Sequence, residues 1–189
     1  YAHDVDIVER FAQLYELGRA RTFAVIALRH GKATPPEQWD GPDATRPLLP
    51  RGEKQSLSVA PGVAAYRPKT LISSTAVRCV STIAPAARVT GLDVAQRDVI
   101  SQDAYRSGGA EVAEYVREVL GRRETTVLCS HGPVLPQILA AVADQVGYHG
   151  NGELRRAAAL STGEYAVLHI PLDDPSAGIV AIEVHGPTA

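Results

Sequence analysis

The sequence predicts an α/β sandwich, a three-layer fold in which a largely parallel central sheet is flanked by helices. Three observations carry that reading. Strand-length apolar runs alternate with stretches of helical periodicity along the chain. Residues 23–28 form a continuous apolar run, as suits a strand buried on both faces, and residues 70–73 and 125–129 read as a second, short strand and a third, buried one. Each run gives way at its end to a short polar segment: Arg29-His30-Gly31, Ser73-Ser74 and Ser130-His131-Gly132. Strands of an open parallel sheet end this way where a ligand is bound.

The elements follow in order. Val5, Val8, Phe11, Leu14 and Leu17 recur at helical spacing, so residues 4–17 are expected to form an amphipathic helix. We assign residues 1–20 to a connector and 21–189 to a single domain. After the first strand, residues 31–50 contain five prolines and two glycines and read as a long loop, of a length that is usually functional or disordered. Residues 51–66 are helical in pattern, with Pro61 expected to interrupt them. A helix over about 75–84, a weak strand over 89–94 and a helix over 109–120 with Gly121 as its C-cap come next. A helix over 134–146 follows the third strong strand. Residues 164–170 and 178–184 are expected to pair as an antiparallel edge.

Composition narrows the function classes. At 45% hydrophobic and 21% charged, with a net charge of -2, the chain resembles an ordinary globular domain. Its mixed charges indicate no nucleic-acid groove and no membrane surface. No run approaches the roughly 20 apolar residues that span a bilayer. Cys79 and Cys129 have neither disulfide-framework nor metal-ligand spacing, and we expect a reducing cytoplasm. The chain contains no methionine, so Tyr1 is expected to follow a removed or preceding segment of a longer protein.

The polar segments at the strand ends carry the chemistry. Arg29 and Arg78 offer planar forks of donors that match phosphoryl oxygens and offset their charge. A neutral His30 imidazole is a competent nucleophile toward phosphorus. His131, if protonated, would donate to the oxygens as charge spreads in the transition state. Gly31 and Gly132 let backbone approach an anion, Ser74 opens a helix N-terminus toward it, and Lys32 extends the basic rim. An isolated Arg-His pair is usually surface, and an isolated Ser-His-Gly is a common turn. Their joint placement at three strand ends sets these apart.

In that order, Arg29-His30-Gly31, Ser73-Ser74 through Arg78, and Ser130-His131-Gly132 resemble the histidine phosphatase superfamily. The run Arg29-His30-Gly31-Lys32-Ala33 is most similar to its small SixA-like branch, which includes phosphohistidine phosphatases. The resemblance implies a phosphoglycerate mutase-like fold and a hydrolase in which His30 is transiently phosphorylated. Arg29, Arg78 and His131 would hold the phosphoryl group, with no metal. The chain also resembles the C-terminal half of bacterial two-domain MutT-type proteins, which join a Nudix domain to a histidine phosphatase domain. Those act on 8-oxo-guanine nucleotides and dinucleoside polyphosphates, a role in nucleotide metabolism and DNA repair. A Nudix partner, with its magnesium, would lie outside these residues, since no Nudix box is present.

The family's usual acid, which protonates an alkoxide leaving group, falls here at Gln102 or Asp103. Gln102 has no useful proton, which leaves Asp103 as the candidate. The weak acid position favours nucleotide polyphosphates or phosphohistidine over alkyl phosphates. It disfavours a phosphomutase. A SixA-like phosphatase of phosphoproteins is one alternative. A weakly active module docked beside a Nudix site through the 4–17 helix is the other.

Overall fold

The computed structural model describes residues 2–106, 111–150 and 152–188. Its sheet has six strands: β1 (Thr22–Arg29), β2 (Thr70–Ser73), β3 (Val94–Gln96), β4 (Thr126–Ser130), β5 (Tyr165–Pro171) and β6 (Ala181–His185). Their order across the sheet is β3-β2-β4-β1-β5-β6. The first four in that order are parallel, while β5 and β6 add as an antiparallel edge, as the sequence predicts.

Because side chains alternate across a strand, β1 serves two cores. Phe23, Val25 and Ala27 pack on one face with α5 (Val112–Gly121) and α6 (Leu135–Gln145). Ala24, Ile26 and Leu28 pack on the other with α2 (Pro50–Ala65) and α3 (Val77–Thr90). Helices on both faces bury the central strands completely, which is why those strands lack polar alternation.

Several boundaries differ from the expected ones. Pro61 lies inside α2 without ending it. Pro61 and Leu57, whose carbonyl loses its partner, are both exposed, so water can replace the missing bond. Helix α3 runs past Ala84 through Pro85 to Gly91, which adopts the left-handed φ of 72° and closes the helix through Ala87. The expected strand over 89–94 is therefore helix up to Thr90, and β3 starts only at Val94. Gly121 belongs to α5 itself, and it is Arg123 that takes positive φ, at 51°. The expected start of that helix at Gly109 lies outside the described residues. Short helices α4 (Gln102–Arg106) and α7 (Gly152–Ala158) were not anticipated.

Helix α1 (Ala2–Glu16) leaves Val5, Val8, Phe11 and Tyr15 exposed. Its Arg10 Nη2 donates to the Val180 carbonyl at 3.2 Å. Among the described residues no helix is long and apolar enough to cross a membrane.

Candidate active site

The carboxyl ends of β1, β2 and β4 converge, and the segments singled out in the sequence meet there. The His30 amide donates to the Ser130 carbonyl (3.1 Å), which carries the β1–β4 ladder one residue past the strand. Gly163 N–H donates to both the Arg29 and His30 carbonyls at 3.2 Å. Gly31 N–H donates to Thr82 Oγ1 (2.9 Å), and Lys32 N–H to Gln55 Oε1 (2.8 Å). The nucleophile's backbone is thereby held by β4, β5, α2 and α3. Facing glycines permit this: a Cβ on Gly31 would lie 2.7 Å from the Gly52 carbonyl oxygen.

His30 Nδ1 lies 2.8 Å from its neighbour's carbonyl, Gly31 O. A carbonyl only accepts, so the proton sits on Nδ1 and the Nε2 lone pair is free. Burial lowers the His30 pKa to about 4; the Gly31 bond opposes that shift, and the charges of Arg78, Arg29 and Arg46 reinforce it. His30 is a neutral imidazole at physiological pH. The His131 ring lies 5.2 Å from it, edge to face, and is fully buried. Burial, then the neighbouring His30 and Arg78, lowers its pKa to about 2. His131 is accordingly neutral in the empty site, so it offers a neutral ring N–H rather than the charged donor envisaged from sequence.

Ser74 does not line the cavity beside His30. It is buried behind His131, with Oγ 2.9 Å from Nε2, and it positions that ring. Cys79 Sγ packs 3.5 Å from the same nitrogen, and both cysteines are buried free thiols.

The two arginines differ in readiness. Arg29 Nη1 donates to the Leu160 carbonyl (2.6 Å), and its buried Nε has no partner. Its guanidinium lies against Gly132, where a Cβ would sit 3.0 Å from Cζ. Arg78, only 1% exposed, has its terminal fork occupied: Nη1 donates to the Asp43 carbonyl (2.7 Å) and Nη2 to Asp43 Oδ2 (2.9 Å). Nη2 also reaches Gln102 Oε1 at 3.2 Å, while its Nε is a second buried, unpartnered donor. The other Asp43 oxygen accepts from Arg46 Nε and Nη2, each at 2.9 Å. Although burial alone would raise the Asp43 pKa, these arginines outweigh it and hold the carboxyl below its usual value.

A cavity of about 440 Å³ opens on this cluster, lined by Arg29, His30, Lys32, Glu37, Arg46 and Gly132 among others. Lys32 and Gly132 are where the sequence places them. Asp103 is not: its side chain is 60% exposed, pairs with Arg106 at 3.5 Å, and does not line the cavity. Gln102 does line it. Sequence reading missed Asp43, Arg46 and Glu37, all in the proline-rich segment. The three-residue spacing of Asp43 and Arg46 was the one available signal.

Residues 25–105 match the histidine phosphatase superfamily (branch 1). The match spans the Arg29-His30-Gly31 segment, Arg78 and Gln102 and covers less than half of the chain. An 8-oxo-(d)GTP phosphatase of Mycolicibacterium smegmatis is 27% identical over 139 residues, 74% of this chain. The matched region spans only 42% of that relative's length. A putative phosphohistidine phosphatase SixA from Agrobacterium tumefaciens is 27% identical, with a TM-score of 0.58 over 77% of this chain and 91% of that one. The putative SixA of Nakamurella multipartitia shares the fold at a TM-score of 0.65, covering 90% of this chain and 99% of its own, at 24% identity.

Proposed function

We propose that this chain is a histidine phosphatase acting on nucleotide phosphoanhydrides: the terminal phosphoryl group of nucleoside di- and triphosphates, including 8-oxo-guanine nucleotides, and the internal bridge of dinucleoside polyphosphates. The observation that carries the reading is His30 itself, neutral and with Nε2 free, beside a cavity lined by Arg29, Lys32 and Arg46. Nε2 attacks phosphorus in line while the Arg29 fork takes the phosphoryl oxygens. His131, aligned by Ser74, donates to another oxygen, and water then hydrolyses the phosphohistidine. The guanidiniums supply the charge neutralisation that a metal supplies in other phosphoryl-transfer sites. Lys32 and Arg46 add two more cations to the lining of the same cavity, which favours a highly charged polyphosphate over a single phosphoryl group.

The experiment compares wild type with His30→Ala on nucleoside di- and triphosphates and on a phosphohistidine protein, without added metal. We expect wild-type release of phosphate, an acid-labile, base-stable phosphoenzyme, and a loss of at least about 10³-fold in the variant. Turnover of the phosphohistidine protein alone would move the assignment to a SixA-like protein phosphatase. Equal inertness of both proteins on every substrate would leave a docking role. The exposed apolar side chains of α1 favour that second reading, with a Nudix domain as the partner in a cytoplasmic two-domain protein.

A further inference from the structure

A second cavity, of about 340 Å³, has no part in the reaction described above. It is lined by Arg51, Lys54 and Gln55 of α2 together with Pro187 and Thr188. Arg51, Lys54, Gln55 and Ser58 follow one another at i, i+3, i+4 and i+7, so they share one side of the helix. Glu53 lies about half a turn away round it. The tail that forms the other wall is fastened to the same side. Thr188 N–H donates to Ser58 Oγ at 2.9 Å, and the two hydroxyl oxygens are 2.8 Å apart. Arg46 and Arg78 are both committed to the Asp43 carboxylate, whereas Arg51 and Lys54 form no such pair among the described residues.

The two cavities adjoin. Gln55, only 8% exposed, stands between them. Its Oε1 accepts from the Lys32 N–H (2.8 Å) and its Nε2 donates to the Thr162 carbonyl (2.9 Å), and Lys32 and Thr162 both line the His30 cavity. Gly52, next to Arg51, packs directly on the Lys32 backbone, with no room for a Cβ. Lys32, Arg51 and Lys54 therefore continue the cationic lining outward from His30 and over the Gln55 wall. Like charges gathered in this way repel one another, and a single polyanion lying along them relieves that repulsion for all three.

Resting on the phosphoanhydride reading above, we infer that the Arg51–Lys54 cavity is a subsite for the inner phosphates of a linear polyphosphate, so that chains longer than a triphosphate, free or capped by a nucleoside, are the preferred substrates. The terminal phosphoryl group reacts at His30, the next phosphates cross the Lys32 rim, and those beyond lie against Arg51 and Lys54. The terminal phosphoanhydride bond breaks with its electron pair on the shortened chain as the bond from phosphorus to Nε2 forms. Water then attacks phosphorus, and the phosphorus–nitrogen pair returns to Nε2. The water supplies the hydroxyl of the released phosphate and the proton of the shortened chain. One chain and one water become one phosphate and a chain one unit shorter.

The test is chain-length dependence. Two series are compared without added metal: inorganic pyrophosphate with inorganic tetraphosphate, and adenosine diphosphate with linear adenosine tetraphosphate. In wild type we expect the tetraphosphate to exceed its short partner in kcat/KM by roughly tenfold in both series. The advantage should vanish in the double variant Arg51→Gln, Lys54→Gln and survive in Arg51→Lys, Lys54→Arg, which keeps both charges. Both side chains are exposed, so these variants should melt with wild type. Lys69→Gln with Arg88→Gln removes two cations at the far end of the sheet, before β2 and in the last turn of α3, and should keep the advantage. An advantage in the inorganic series alone would keep the subsite and make free polyphosphate its ligand. An advantage in the adenosine series alone would overturn it, since the phosphates would not be what is recognised. No advantage in wild type, one that survives the Gln double variant, or one lost equally in the Lys69 and Arg88 control would overturn it while leaving the His30 chemistry in place. A wild type as inert as His30→Ala on every chain would overturn the phosphoanhydride reading together with it.

Discussion

Asp43 places a carboxylate on the fork with which Arg78 would grip a phosphoryl oxygen, and its own carbonyl completes the pair. An incoming anion must compete with an anion that belongs to the protein, and the backbone carbonyl contact means that a rotamer change alone does not release Arg78. Asp43→Asn removes the competing charge and keeps the shape. It should lower the inhibition constant of orthovanadate by roughly tenfold, equivalent to about 1.4 kcal/mol, as read by steady-state inhibition. A weaker inhibitor would instead make Asp43 a support for Arg78. The sequence made His30, Arg29, Arg78 and His131 legible because each adjoins a buried strand whose apolar run is unmistakable. Asp43, Arg46 and Glu37 sit between prolines in a segment with no period, so beyond the three-residue spacing of Asp43 and Arg46 nothing tells which of them face the cavity. Asp103 misled for a related reason: on the short α4, the side chain facing the site is that of its neighbour Gln102.

At the level of elements, the close contact between the His30 loop and the start of α2 decides where the nucleophile sits. Gly31 and Gly52 face each other, and a side chain on Gly52 would run into the Lys32 backbone. Neither neighbour is the flexible tip of a side chain, so the loop itself would have to shift. Gly52→Ala should cost about 1–3 kcal/mol in denaturant unfolding and reduce kcat by 10²-fold or so, because reacting atoms tolerate displacements of well under 1 Å. Unchanged kcat would show that the loop can move without moving Nε2. The strands were read well from sequence because burial on both faces leaves a plain apolar run. Helix ends were read poorly. Pro61 reads as a break, yet the exposed face of α2 tolerates it, and α3 runs on to Thr90, well beyond its expected end near Ala84.

For the whole molecule, the two site histidines couple catalysis to acid stability. His30 and His131 have folded pKa values of about 4 and about 2, below the ordinary 6.5. Between pH 6.5 and those values the unfolded chain binds the extra protons. Stability therefore rises with pH through that window, and it is lost as pH falls below 6.5. His30→Asn should remove up to about one proton from the pH slope of unfolding between roughly pH 6.5 and 4, measured by denaturant titration across that range. An identical slope in the variant would show that His30 titrates normally.

The hydrogen bonds from Gly163 to Arg29 and His30, together with the pairing of β1 with β5, have a consequence for how the protein is made. The nucleophile emerges from the ribosome some 130 residues before the strand that fastens its backbone. During synthesis the His30 loop waits, without its final hydrogen bonds, until β5 is available. Chains cut short before β5 should present the signature tripeptide without the pocket that gives it chemistry.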